Sequence, residues 1–179
     1  MDGLPKRPPS AGLPVSLLDA VARSREPTTE VVAWLEQGGQ VDARCAEQGS
    51  ATLLMAAANN GQTLLVRLLL RRNASLDLQD IDGGTALMCA AYGGHTATVQ
   101  ALLEAGADAS LYDDCGRTAL QWAELYKLES TAALLRRYDD SEPSAAPADA
   151  DGTKLAGHLR SLYGPSRLAE CCGRCLRWS

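Results

Sequence analysis

Side chains able to do covalent or metal chemistry are few in this chain of 179 residues, which has six Cys and two His. Cys172 and Cys175 form a Cys-x-x-Cys pair, a spacing that can bring two thiolates onto one tetrahedral zinc. Four ligands are needed, however. No second pair exists, and His158 is the one nearby imidazole. Nucleophilic catalysis would require a Cys or Ser held beside a base, and only His95 and His158 offer imidazole. No Gly-x-x-x-x-Gly-Lys run is present to cradle a phosphate. No catalytic residue, cofactor or metal centre is expected, and the chain does not read as an enzyme.

Whatever positions those residues must be helical. Ala contributes 29 residues and Leu 28, while Phe is absent and aromatics are 4%. That bias favours thin helices over strands, which prefer β-branched and aromatic side chains. With 46% apolar and 22% charged residues, most of the chain can bury a core. The longest apolar run, Leu53 to Ala58, is far below the roughly 20 residues of a membrane span. The formal charge is −5 without a sustained basic stripe, so nucleic acid is not an expected partner. The Cys are too few and scattered for a disulfide scaffold, and no signal-like segment precedes them. A reduced cytosolic or nuclear location is expected.

Organisation follows from composition and an internal period. Residues 1–14 hold four Pro and no apolar period, and read as a flexible arm. Residues 141–153 read as a Pro/Ala/Asp linker before a basic tail at 154–179. Between lies an ordered body, 15–140. Shifting 47–79 by 33 residues onto 80–112 gives twelve identities, including Thr52/Thr85, Leu54/Leu87, Ala57/Ala90, Gly61/Gly94, Val66/Val99 and Leu69/Leu102. A third unit, 113–140, matches at Gly116, Thr118, Leu120 and Ala123. A degenerate unit, 15–46, precedes them, with Leu17 and Ala20 aligned to Leu54 and Ala57. Such a period signals stacked repeats.

Within one unit, Thr85 can cap a helix whose Leu87, Ala90 and Ala91 form an apolar stripe. Gly93-Gly94 ends it, and Thr96 opens a second helix with the stripe Val99, Leu102 and Leu103. Gly106 then falls where positive φ is needed, and Asn73 takes that place one unit earlier.

These residues resemble the ankyrin repeat, most closely at Asp80, Gly83, Thr85, Leu87, Ala90-Ala91, Gly94-His95, Val99, Leu102-Leu103 and Gly106-Ala107-Asp108. The resemblance covers about residues 15–138 and implies an all-α solenoid of helix–turn–helix units, with His95 in a structural place. Cys89, Trp122 and Trp34 fall on packing positions. The family's Pro is replaced by Leu53, Ala86 and Ala119, and its His by Met55, Met88 and Gln121. Its His hydrogen bonds between repeats are therefore absent, and lower rigidity between repeats is expected. Arg136, where earlier units have Leu70 and Leu103, suits a capping repeat with one solvated face.

The resemblance also implies a protein-interaction scaffold that binds through its concave face. Carried over by position, that face comprises Gln48, Asn59 and Asn60 in the first full unit, then Ile81, Asp82 and Tyr92, then Asp114, Arg117, Leu125 and Tyr126. Residues 12–140 hold 17 acidic and 10 basic side chains, a net of −7. Asp80, Asp82, Asp113 and Asp114 sit at adjacent turn tips, so a basic or mixed-charge protein partner is expected.

The tail admits four readings. Its net charge is +4, opposite to that of the body. Zinc on Cys172 and Cys175 is the first. S-acylation of Cys171, Cys172 or Cys175 beside Arg174, Arg177 and Trp178 is the second, and it would confine membrane contact to this tail. Third, Leu168-x-x-x-Cys172-x-x-x-Leu176 resembles the elongin-binding helix of SOCS boxes, with Arg167 departing from that motif. A mobile helical tail is the fourth.

Overall fold

The computed structural model describes residues 12–23 and 29–139. The linker, the tail with its zinc, acylation and elongin readings, and arm residues 1–11 lie outside the described residues. Eight α-helices follow one another: α1 (Val15–Arg23), α2 (Thr29–Glu36), α3 (Leu53–Asn59), α4 (Thr63–Arg71), α5 (Ala86–Tyr92), α6 (Thr96–Glu104), α7 (Ala119–Leu125) and α8 (Glu129–Asp139). Among the described residues no strand forms beyond an isolated bridge between Cys45 and Ala51. Each odd-numbered helix packs on the even-numbered helix that follows it. The inner helices α1, α3, α5 and α7 stack in sequence, as do the outer helices α4, α6 and α8. The all-α solenoid of paired helices is the architecture that the period of 33 implies.

Local chemistry sets the helix ends. Thr52, Thr85 and Thr118 each accept a hydrogen bond on Oγ1 from the backbone N–H three residues on, at 3.3 Å. Gln121, standing in the family's His place, accepts from the Thr118 N–H at 3.0 Å and closes a capping box. After the outer helices, Asn73 (φ 59°) and Gly106 (φ 93°) take the left-handed conformation expected of them. The inner stripe of Ala57, Ala58, Ala90, Ala91 and Ala123 is fully buried, as are Val66, Leu69, Val99 and Leu102 of the outer stripe. In α1 the fully buried pair is Leu18 and Val21, one residue beyond the aligned Leu17 and Ala20. Leu13, which the sequence leaves in the arm, is 5% exposed, and its N–H donates to the Arg44 carbonyl at 3.2 Å.

Other hydrogen bonds between repeats replace those of the missing His. Thr63 and Thr98 pair through their hydroxyls at 2.8 Å, and Thr96 and Thr131 at 2.9 Å. Gln62 donates to the Val21 carbonyl. At the equivalent place one unit later, His95 Nε2 lies 2.9 Å from the Asn59 carbonyl. That oxygen only accepts, so this nitrogen carries the proton. Near the turns, Arg44 donates to the Gln79 carbonyl at 2.7 Å and Gln79 to the Tyr112 carbonyl at 3.0 Å. Asp42 accepts from Ser75, and Asp77 from the Asp108 N–H. These pairs are not legible in the sequence, because their partners lie 31 to 41 residues apart and match no family motif.

Steric keys accompany the polar ones. A Cβ on Gly61 would lie 2.5 Å from His95 Nδ1, and one on Gly94 would lie 2.9 Å from Leu128 Cδ2. These two inter-helix turns therefore each accept a side chain from the following unit.

The turn tips rest on Asp80 and Asp113. Asp80 Oδ1 accepts from the N–H groups of Asp82 and Gly84 at 3.0 and 2.7 Å. Asp113 Oδ1 repeats this with Cys115 and Arg117 at 2.9 and 2.8 Å. The tips are joined as well, with the Ile81 N–H donating to the Gly49 carbonyl and that of Asp114 to the Asp82 carbonyl, both at 3.0 Å. Burial pushes the Asp80 carboxyl above its usual value, opposed by the N–H bonds from Gly84 and Asp82.

Three stability outcomes follow, each read from urea denaturation. Leu102→Ala should cost about 3 kcal/mol, because the cavity lies between stacked helices. Asp113→Ala should cost about 2 kcal/mol through the backbone N–H groups it leaves without an acceptor. Asp80→Asn keeps the accepting oxygen and removes the charge. Since the folded state holds the Asp80 proton more tightly than the unfolded chain, ionised Asp80 lowers stability, and acidification through its folded pKa restores the loss. The variant should therefore match or exceed the wild type at about pH 7 and lose that advantage at about pH 3. A variant less stable at neutral pH with no change in pH dependence would contradict this assignment.

Candidate functional site

The face built by the inner helices and turn tips carries the half-buried Gln48, Gly49, Asn59 and Asn60 until its last two units. There Tyr92, from the C-terminal end of α5, meets Trp122 and Tyr126 from α7 and the turn that follows it. The ring centroids of Tyr92 and Tyr126 are 4.9 Å apart and those of Tyr92 and Trp122 5.9 Å apart, both edge-on at 78° and 81°. Trp122 and Tyr126 stack at 6.0 Å with planes 16° apart. The Arg117 guanidinium carbon lies 4.8 Å from the Trp122 ring centroid. Pairs of this geometry contribute about 0.5–1.5 kcal/mol beyond the area they bury, so the cluster is pre-formed.

Each member is held for a local reason. Trp122 sits four residues into α7, and its Nε1 donates to Asp113 Oδ2 at 2.8 Å. Asp113 thus fixes the turn with one oxygen and the indole with the other. Arg117 ends the turn that Asp113 closes, which carries its side chain onto the indole face. Tyr126 follows α7 directly and is 41% exposed, with Leu125 beside it at 51%. The cluster therefore has a buried floor in Trp122 and an exposed rim in Tyr126.

The sequence-derived face divides into three groups. Tyr92, Arg117 and Tyr126 come together around Trp122. Ile81, Asp82 and Asp114 lie at the tips, where Ile81 is 61% exposed and packs over Gly49, whose added Cβ would meet it at 3.2 Å. Gln48, Asn59 and Asn60 belong to the preceding unit and lie outside the aromatic cluster. Asn60 donates its Nδ2 to the Ala56 carbonyl at 2.8 Å, and the Asn59 carbonyl accepts from His95. Gln48 is half-buried in a single 3₁₀ turn.

Trp122 belongs to the site as well as to the core, which its packing position in the repeat did not reveal. The one signal available was Arg117 five residues before it and Tyr126 four after. The acidic cluster also splits. Asp80 and Asp113 bond inward, leaving Asp82 and Asp114 as the acids toward the tips. His95 is wedged by the turns, its ring within 2.5 Å of where Cβ atoms of Gly61 and Gly93 would stand, which fits a structural role.

Among the described residues no group of three or more His, Cys, Asp and Glu is placed to hold a metal ion. No described helix is long and apolar enough to cross a membrane. A search of curated proteins finds no match. The family model for ankyrin repeats in three copies matches residues 18–113 and 53–145. Ankyrin repeats are in general modules that bind other proteins, and the proteins that carry them are typically non-enzymatic scaffolds. A match across that much of the chain, laid over helix pairs that stack with the same period, makes this chain a member of the ankyrin-repeat family.

Proposed function

We propose that this chain is a protein-interaction scaffold whose partner docks on the inner-helix face, centred on Tyr92, Trp122, Tyr126 and Arg117. The observation that carries the reading is the aromatic cluster itself. It concentrates the residue types that dominate binding energy on a face whose preceding unit offers Gln48, Gly49, Asn59 and Asn60. Tyr126 and Leu125 supply exposed apolar area, and the rings beneath them are already ordered, which lowers the entropic cost of binding. Ile81 extends the apolar surface toward the tips. Asp82 and Asp114 favour a partner segment that is basic or of mixed charge, chiefly by raising its association rate. Chemistry on the partner is not part of the reading, since the site offers contact area and charge rather than an activated nucleophile.

The test compares the full chain with a Tyr126→Ala/Ile81→Asp variant by affinity purification and mass spectrometry, with circular dichroism to verify folding. Partners captured by the wild type should be lost or weakened about tenfold or more by the variant. Identical partner lists at equal helical content would overturn the assignment of this face.

A further inference from the structure

Helix α4 carries a different surface. Arg67, Arg71 and the following Arg72 fall within six residues and are all exposed. Leu64, at 67%, is the most exposed large apolar side chain among the described residues, and Leu68 is half-buried. Leu64, Arg67, Leu68 and Arg71 recur at i, i+3, i+4 and i+7, so they share one side of the helix. The core contacts of α4 come from Leu65, Val66 and Leu69 on the opposite side.

Stacking does not demand these residues. At the corresponding places of α6 stand Ala97, Gln100, Ala101 and Glu104, and α6 packs against both α4 and α8. Nor does internal pairing hold the arginines. The ion pairs of the described residues are Arg23 with Asp19 and Arg136 with Glu124, and neither involves α4. Of the acids that align with Arg71, Glu104 already accepts from Gln100 at 2.8 Å, and neither it nor Glu36 of α2 forms an ion pair with α4.

We propose that this side of α4 is a second docking surface, separate from the inner-helix face, and that it takes an acidic amphipathic helix of another protein. Carboxylates of that helix pair with Arg67 and Arg71, with Arg72 at the edge, while an apolar side chain covers Leu64 and Leu68. The two i, i+4 pairs on α4 each rise about 6 Å, which carboxylates spaced i, i+4 on an adjacent helix match. Nine residues make α4 about 13 Å long, enough for two to three turns of the ligand. An anionic bilayer or nucleic acid is a poorer occupant. Either would spread beyond this strip and face a body of net charge −7, whereas a short helix stays within the Debye length of about 8 Å around the arginines.

The probe is a fluorescent helical peptide with glutamates and leucines at i, i+4 spacing, titrated with the full chain by anisotropy. Controls are a peptide of the same charge with its leucines replaced by serine, and vesicles containing phosphatidylserine. The acidic-leucine peptide should bind in a salt-sensitive manner, and the serine control should bind several-fold more weakly. Arg67→Glu/Arg71→Glu, and the milder Arg67→Gln/Arg71→Gln, should each weaken binding about tenfold at unchanged helical content. The Tyr126→Ala/Ile81→Asp variant should bind this peptide like wild type, so failure of the inner-face reading would be seen separately. Equal affinity for wild type and the arginine variants, equal affinity for the serine control, or preferential binding to vesicles would each overturn the proposal.

Discussion

Alanine at the contact positions of the inner helices determines how near successive repeats lie, and most of the structure depends on that closeness. Ala57, Ala58, Ala90, Ala91 and Ala123 each place only a buried methyl group between the backbones. Larger side chains are buried on both layers, Leu18, Val21, Leu54 and Leu87 on the inner helices and Val66, Leu69, Val99 and Leu102 on the outer ones. No helix pair covers its own stripe, so each depends on a neighbour. The short distance also explains why Thr hydroxyls from adjacent outer helices meet directly, and why turn backbones bond from one tip to the next.

Much of this was legible beforehand because it is written locally. A Thr before an apolar stripe, a Gly or Asn after the outer helix and a repeat of 33 residues each constrain a few neighbouring dihedrals, and the structure follows them at Thr85, Asn73 and Gly106. What escaped was non-local or doubly employed. Asp113 reads as a turn acid, and its second oxygen finds an indole nine residues away. Trp122 reads as packing, and its ring also floors the candidate site. Lys127 adopts φ of 57° where earlier units have Gly61 and Gly94, a conformation its residue type does not announce. The one-residue offset in α1 has the same origin, since a degenerate unit is placed by its packing partners rather than by its own motif.

On the proposed reading, recognition and assembly are separated by direction. Inner positions that stacking leaves free gather aromatic residues at the last two units, whereas the outer positions of α4 gather cations and leucine. Tyr126 and the exposed residues of α4 can change while the core stays as it is, whereas Trp122, 3% exposed, serves the core and the aromatic cluster together. The polar pairs that span repeats lie between these surfaces, on atoms that the buried stripes leave unused.

The fit of His95 beneath Gly61, repeated by Leu128 at Gly94, gives the array a grammar of adjacency. A turn without a side chain in one unit licenses a bulky one in the next, so the two positions constitute a single inherited character. Shuffling or duplicating units across this boundary succeeds only when donor and acceptor travel together. A side chain at residue 61 therefore requires both a smaller residue 95 and a backbone that tolerates the left-handed φ of 66° at that place.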